Sequence, residues 1–123
     1  MEAKNYRKLT VWRKAMKFVT EVYRTTKTFP PDELYGLTAQ LRRAAVSLPS
    51  NLAEGYGRNS RADFRRFLQI AAGSLFEIQT QLEIAYNLEY IDRNTYNHLH
   101  ELSREIDAML AAFIRTLGRT KEQ

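Results

Sequence analysis

The chain has 123 residues, no cysteine and a formal net charge of +5. Its length fits one domain with a small core, and the lack of cysteine excludes disulfides and thiolate metal sites. No apolar run is long enough to predict a membrane span. The first residues lack the apolar core of a secretion signal, so we expect a cytoplasmic location.

The charge is uneven along the chain. Residues 1–27 carry eight Lys and Arg against two acidic residues, whereas residues 67–118 carry three Arg against seven acids. Arginine outnumbers lysine, and arginine suits bidentate contacts with phosphate and with carboxylates. A solvated basic face and a surface for RNA or an acidic partner both fit this pattern.

Apolar residues at steps of three and four predict two helices in the first half of the chain. The first spans residues 11–28 and ends before Pro30 and Pro31. The second spans residues 33–56, with Asp32 as its cap and Leu34 in its apolar stripe. We expect Pro49 to kink this helix without stopping it, and Gly55 and Gly57 to end it.

The second half predicts two longer helices. The third spans residues 61–89, begins at a Ser60–Asp63 capping pair and carries a sustained heptad of apolar residues. The fourth spans residues 93–117, with Asp92 as its cap and Gly118 at its end. Short links between four amphipathic helices predict an all-α, antiparallel up-down four-helix bundle, a single domain over residues 1–123.

Three segments resemble a known family. One runs Phe29-Pro30-x-x-Glu33-x-Tyr35-Gly36-Leu37-Thr38-x-Gln40-Leu41-Arg42-Arg43-Ala44-Ala45 and leads into Ser47-x-Pro49-x-Asn51-x-Ala53-Glu54-Gly55. The others are Phe67-Leu68-x-x-Ala71-x-Gly73-Ser74-Leu75-x-Glu77 and, upstream, Leu9-x-Val11-Trp12. Together they are similar to the bacterial four-helix-bundle proteins encoded in intervening sequences of 23S ribosomal RNA genes.

The resemblance covers about residues 6–117 and implies a homo-oligomer, with a five-membered ring the expected form. It also implies a link to ribosomal RNA, which rests on where the genes of this family lie. The family has no established enzyme activity. A distant relative of the same fold is an accessory subunit beside a reverse transcriptase and binds nucleic acid, which makes RNA a candidate partner here.

Arginines cluster where the third helix begins. The candidate nucleic-acid-binding residues here are Arg58, Arg61, Arg65 and Arg66, with Tyr56 as a ring on which a base could stack. Arg42 and Arg43 on the second helix complete the set. The alternative is a solvated loop whose arginines pair with nearby acids, and Arg65 and Arg66 could instead pair with a neighbouring subunit.

A second group of polar residues lies within the apolar second helix: Gln40, Ser47, Asn51 and Glu54. Buried polar groups need partners, so we interpret these four as a structural network that stabilises the helix at Pro49 and the assembly. A ligand site is the alternative. Gly73 in the third helix predicts close approach of another helix, because glycine there costs about 1 kcal/mol against alanine.

Aromatic residues exceed what one small core holds: Phe18, Phe67, Phe76, Tyr86 and Tyr90. We expect a subunit interface to cover the surplus, with single exposed rings as the alternative. His98 and His100 point to different sides of a helix, and no set of ligands or nucleophile motif accompanies them.

The sequence therefore predicts a protein that is not an enzyme, with no cofactor, metal, membrane or small-molecule substrate. The favoured function is a homo-oligomer that binds ribosomal or other structured RNA through its Arg- and Lys-rich surface. The alternative is a protein-interaction scaffold, or accessory subunit, whose basic surface is used in assembly or against an acidic protein.

Overall fold

The computed structural model describes residues 5–119 as four α-helices. They are α1 (Thr10–Thr26), α2 (Leu37–Tyr56), α3 (Arg61–Asn87) and α4 (Arg93–Arg119), with short 3-10 turns at Tyr6–Lys8 and Pro31–Glu33. No strand occurs in this part of the chain. The predicted all-α, four-helix fold is confirmed.

Each helix packs against the next along the chain, and α4 closes the bundle by packing against α1. Lys14 of α1 pairs with Glu105 of α4, and Glu21 of α1 pairs with His98 of α4. The two helices therefore contact each other with their chains running in opposite directions. The enclosed core is built almost entirely of aliphatic side chains and Phe18. Its fully buried large members include Phe18, Val22, Leu41, Leu48, Leu52, Leu68, Leu75, Ile78, Leu82, Leu99, Ile106 and Leu110.

The start of α2 differs from the prediction. Residues 31–33 form a separate 3-10 turn, and α2 begins only after Gly36. The capping acceptor is Glu33, whose Oε1 accepts a hydrogen bond from the Leu37 amide at 2.9 Å; the prediction that Asp32 caps this helix is wrong. Leu34 consequently lies outside the helix and is half exposed, instead of in the core.

Pro49 is buried inside α2, and the helix continues past it to Tyr56. The prediction that Pro49 does not stop the helix is confirmed, and a kink there stays a prediction. Gly57 follows the last residue of α2, and its amide donates to Ala53 O and Glu54 O. Gly55 is inside the helix, where a Cβ atom would lie 2.6 Å from Phe67 Cβ of α3. Gly55 therefore permits close packing of α2 on α3 and does not end the helix.

The caps of the last two helices are as predicted. Ser60 Oγ accepts from the Asp63 amide at 3.0 Å, and Asp92 Oδ1 accepts from the Thr95 amide at 2.8 Å. α3 ends at Asn87, two residues early, because Glu89 takes a left-handed conformation (φ 64°). α4 continues through Gly118 to Arg119, so Gly118 does not end it.

Two features of the packing differ from the prediction within this chain, while contacts with a second copy stay a prediction. A Cβ atom at Gly73 would meet nothing within 4 Å, so no helix of this chain approaches it. The aromatic surplus is also smaller than expected: Phe18 and Phe67 are buried, Tyr86 and Tyr90 are partly buried, and only Phe76 is exposed. Phe67 finds room because the neighbouring position on α2 is Gly55.

Candidate nucleic-acid interface

One end of the bundle collects most of the predicted arginines. We call it the arginine end: the α2–α3 loop (57–60), the first turns of α3 and the last turns of α4. A groove of about 680 Å³ runs between α3 and α4 at this end. Its lining residues are Arg61, Ala62, Arg65, Gln69, Arg115, Leu117, Gly118 and Arg119. The groove, called the arginine groove below, thus has four arginines and no carboxylate in its lining.

Arg65 is fixed in this groove by the backbone of α4. Its Nε donates to Ile114 O at 3.0 Å. A Cβ atom at Gly118 would lie 3.0 Å from Arg65 Nε and 3.1 Å from its Nη2, so the guanidinium lies directly over glycine backbone. The contact gives a carbonyl near the end of α4 a side-chain donor and places a cation at the negative end of the helix dipole.

The other three arginines of the groove are exposed to solvent. Arg61 is the first residue of α3, while Arg115 and Arg119 lie one turn apart near the end of α4. None of the three has an ion-pair or hydrogen-bond partner for its side chain within residues 5–119. Their donors are therefore available to a ligand.

An aromatic hollow of about 400 Å³ adjoins the groove. Its walls include three rings in series: Tyr56 lies 5.7 Å from Phe64 and Phe64 lies 5.2 Å from Phe113, centroid to centroid, at interplanar angles of 74° and 76°. Arg61 and Leu117 line both the hollow and the groove. Cationic and aromatic surfaces thus meet at Arg61.

The other two arginines predicted near the start of α3 form ion pairs within the chain. Arg58 pairs with Glu54 at 2.9 Å and with Asp63 at 3.7 Å. Arg66 pairs with Asp63 at 2.9 Å. Both guanidinium groups also lie over the Phe67 ring, 4.8 Å and 4.6 Å from its centroid. Carboxylates and a ring thus hold these two cations against the surface.

Arg42 and Arg43 lie elsewhere. Arg43 precedes Tyr56 by 13 residues on α2, which places it about 20 Å along the helix. Arg42 Nε donates to Thr26 Oγ1 at 2.8 Å, and its guanidinium lies 4.7 Å from the Tyr23 centroid. Arg42 therefore joins α2 to α1. Arg43 is exposed on α2.

The predicted polar network is present in part and includes a residue that was not predicted. Ser47 Oγ lies 2.9 Å from Ser74 Oγ of α3. Asn51 Nδ2 donates to Ser47 O at 2.8 Å and to Ser47 Oγ at 2.9 Å. Glu54 instead pairs with Arg58, and Gln40 is exposed. The network therefore links α2 to α3 through two serines and one asparagine.

The opposite end of the bundle has the opposite charge. We call it the carboxylate end: residues 28–36 and 88–95. Tyr90 OH donates to Glu33 Oε2 at 2.8 Å. The Leu37 amide and then this hydroxyl stabilise the Glu33 carboxylate, so its pKa lies below the usual range. The same hydrogen bond raises the pKa of Tyr90, and the Thr95 amide lowers the pKa of Asp92.

The two histidines lie in different surroundings. His98 Nε2 lies 2.6 Å from Glu21 Oε1, and the His100 ring stacks on Tyr96 at 5.6 Å. Within residues 5–119, no group of three or more His, Cys, Asp or Glu side chains is placed to hold a metal ion. No helix in this range is long and apolar enough to cross a membrane.

Comparison with known proteins agrees with this architecture. The family described as 23S rRNA-intervening sequence protein matches residues 7–112. The chain belongs to this family. The relation predicted from three sequence segments is thereby confirmed over most of the chain.

A crystal structure from the S23 ribosomal protein family of Bacteroides thetaiotaomicron, described as a protein with unknown function, has a similar fold. The TM-score is 0.78 at 28% sequence identity, over 85% of this chain and 98% of the other. No curated protein matches the chain. Neither of the two descriptions names a catalytic activity.

Arg115 and Arg119 are the residues that sequence reasoning missed. Each lies more than 45 positions from Arg65 along the chain, so no local pattern joins them to the α3 cluster. A signal was nevertheless present. Arg115 lies in the last turn of the predicted fourth helix, and Arg119 directly follows the glycine at its end. Both would lie beside the start of α3 in any bundle where the two helices are antiparallel neighbours.

Proposed function

We propose that this protein is not an enzyme and that it binds RNA at the arginine end. The observation that carries the proposal is the arginine groove, in which four guanidinium groups line one depression without a carboxylate among them. Guanidinium forks match phosphate oxygens in bidentate geometry. A backbone of regularly spaced phosphates would neutralise several of them at once and release counterions.

Ribosomal RNA is the RNA to test first. The family to which the chain belongs is named after the intervening sequences of 23S rRNA. The carboxylate end would repel a polyanion, so the charge asymmetry orients RNA toward the groove. Arg58 and Arg66 would contribute less than the groove arginines, because carboxylates already neutralise them.

The test compares two double variants of α4. Arg115→Gln with Arg119→Gln removes two groove cations; Arg93→Gln with Arg104→Gln removes the same charge from the same helix outside the groove. Binding of fluorescent 23S rRNA fragments is measured by anisotropy between about 50 and 200 mM salt. The plot of log K against log salt should become less steep by about 2 in the groove variant, since each lost phosphate contact reduces the magnitude of the slope by about 1.

Two results would contradict RNA binding at this site. One is the absence of binding by the wild-type protein even at the lowest salt. The other is an equal loss of slope in both double variants, which would mean that net charge alone attracts the RNA. Thermal melting of both variants checks that they fold. We expect both to fold because the four arginines are exposed. Among these four, only Arg104 has an ion pair within residues 5–119, to Glu101 at 3.8 Å.

Self-assembly is the second candidate property, favoured by an apolar groove of about 350 Å³ between α1 and α2. Its walls include Trp12, Met16, Val46 and Pro49, of which Met16 and Val46 are exposed. A different surface, the outside of α3, exposes Ile70, Phe76 and Ile84. We propose that the groove of one copy receives the α3 surface of the next, a head-to-tail contact that can close into a five-membered ring.

Light scattering after size exclusion tests the assembly. The wild-type protein should have a mass several times its 14.4 kDa, and Val46→Glu should reduce it to the monomer, because the new charge lies in the apolar groove. Tyr35→Glu is the control, since Tyr35 is 93% exposed at the other end. A monomeric wild type would exclude the ring. Assembly without RNA binding would favour the scaffold function.

A further inference from the structure

The arginine end has an aromatic surface in addition to the cationic one that phosphate binding requires. Phosphate alone would need only the arginine groove, yet the groove opens at Arg61 into the aromatic hollow. The two depressions have volumes of about 680 and 400 Å³, which fall in the range of ordinary ligand pockets. One is cationic and the other aromatic, and these are the two surfaces that a single nucleotide presents: an anionic phosphate and a flat base.

We propose that the arginine end holds one unpaired nucleotide of a bound RNA, with its phosphate in the arginine groove and its base in the aromatic hollow beside Tyr56. This inference rests on the proposed RNA binding and adds to it a specific strand state. In a duplex the bases are stacked and paired, so only phosphates and sugar edges reach a protein surface. An unpaired base is free to stack on an aromatic side chain.

The hollow is organised before a ligand arrives. Tyr56 packs at a steep angle on Phe64, and Phe64 packs in the same way on Phe113. Phe64 and Phe113 also pack against the hydrophobic core. The wall is therefore held by the bundle itself, so a base that enters meets a rigid surface and loses less affinity to side-chain ordering.

Arg61 lies where the two depressions meet. It is the first residue of α3, it is exposed, and within residues 5–119 its guanidinium has no carboxylate partner. From this position it can donate to a phosphate on the groove side or stack on a base on the hollow side. Arg65, fixed on Ile114 O and Gly118, gives the groove a cation of constant position.

Polar groups that line the aromatic hollow can form hydrogen bonds with the edge of a base. Asn59 and Ser60 of the α2–α3 loop line the hollow. Ser60 Oγ accepts from the Asp63 amide, so its hydroxyl hydrogen remains able to donate. Asn59 offers both a donor and an acceptor. The hollow can therefore hydrogen-bond a base edge while the ring wall supports its face, which is the usual way in which single-stranded RNA is recognised.

Three probes separate the contributions, and the first two have the same number of phosphates. The first is a single-stranded RNA hexamer with 2-aminopurine at one central position; the second is the same phosphodiester chain without bases; the third is a blunt RNA duplex. We expect the wild-type protein to bind the hexamer at least about tenfold more tightly than the abasic chain, which is the usual worth of one stacked base. The 2-aminopurine fluorescence should be quenched on binding.

Variants assign the two halves of the site. Tyr56→Leu should abolish the preference for bases and leave abasic affinity unchanged, whereas Tyr56→Phe should keep the preference because the ring remains. Arg115→Gln with Arg119→Gln should weaken hexamer and abasic chain by the same factor. Tyr35→Leu removes a tyrosine from the other end of the bundle and should change neither affinity. If Tyr56→Leu does not fold, the abasic comparison and the quenching in wild type still decide.

The outcomes distinguish this inference from the function on which it rests. If no probe binds at low salt, RNA binding itself fails. If hexamer, abasic chain and duplex bind equally and all depend on Arg115 and Arg119, RNA binding stands and the nucleotide site is overturned. A base preference that survives Tyr56→Leu would also overturn it, because the base would then lie elsewhere.

Discussion

The two ends of this bundle use their charged residues in opposite ways. At the carboxylate end, Glu33 accepts from the Leu37 amide and from Tyr90, while Asp92 caps α4. At the arginine end, Arg61, Arg115 and Arg119 have no side-chain partner within residues 5–119. Glu33 and Asp92 thus stabilise the ends of helices, whereas these three arginines lie in a groove without such a role. The unused charges are the ones available for binding.

The depressions at the two ends show the same contrast. The arginine groove is lined by four cations and no acid. The two depressions at the carboxylate end are lined by Glu89, Asp92 and several neutral residues, with no cation among them. A net charge of +5 would not by itself direct a ligand, but this asymmetry does, since a polyanion is attracted to one end and repelled from the other.

The largest effect that we predict concerns the packing that forms the arginine end. Gly55→Ala would place a Cβ atom 2.6 Å from Phe67 Cβ. The helices α2 and α3 would then have to move apart next to the loop that joins them, beside Arg58 and Arg61. We expect a loss of about 1–3 kcal/mol in the free energy of unfolding, measured by urea denaturation. RNA affinity should fall with it.

Gly73→Ala is the matched control, because it makes the same chemical change in the middle of the next helix. A Cβ atom at Gly73 meets nothing within 4 Å, so only helix propensity acts there. We expect a gain of about 1 kcal/mol. Equal stabilities for the two variants would show that the close contact between α2 and α3 at Gly55 does not constrain the packing.

Features that depend on neighbouring residues could be predicted from the sequence. The caps at Ser60 and Asp92 follow from local backbone chemistry, and the apolar pattern at Leu52 and Ala53 predicts that α2 continues past Pro49. The start of α2 was missed because the sequence does not reveal the 3-10 turn at Pro31–Glu33, after which α2 begins only at Leu37.

Features that depend on packing between helices could not be predicted. The sequence predicts that Gly55 ends α2 and that Gly73 allows another helix to approach, yet Gly55 is the glycine that faces Phe67, and a Cβ atom at Gly73 would meet nothing within 4 Å. The arginine cluster of α3 was visible as a local run. The pairs Arg58–Glu54 and Arg66–Asp63 follow local spacings of four and three residues. The grouping of Arg61 and Arg65 with two arginines of α4 instead requires the position of that helix.

The smaller effect concerns the carboxylate end and its dependence on pH. Glu33 has a lowered pKa in the folded protein, so its contribution to stability is present above the ordinary glutamate pKa of about 4.3. It is lost as the pH falls through the lowered value. Tyr90 has a raised pKa, so its contribution is present below the ordinary tyrosine pKa of about 10 and is lost as the pH rises through the raised value.

Glu33→Gln should therefore lower the melting temperature near pH 7 by less than Gly55→Ala does, and the difference from wild type should shrink as the pH falls through the lowered pKa of Glu33. Thermal melts followed by circular dichroism at several pH values measure this. Glu77→Gln, at an exposed position on α3, removes the same charge and serves as the control for the change in net charge. RNA affinity should stay unchanged in Glu33→Gln, because Glu33 lies at the far end of the bundle. A loss of affinity equal to that of the groove variant would mean that the two ends are not separate in function.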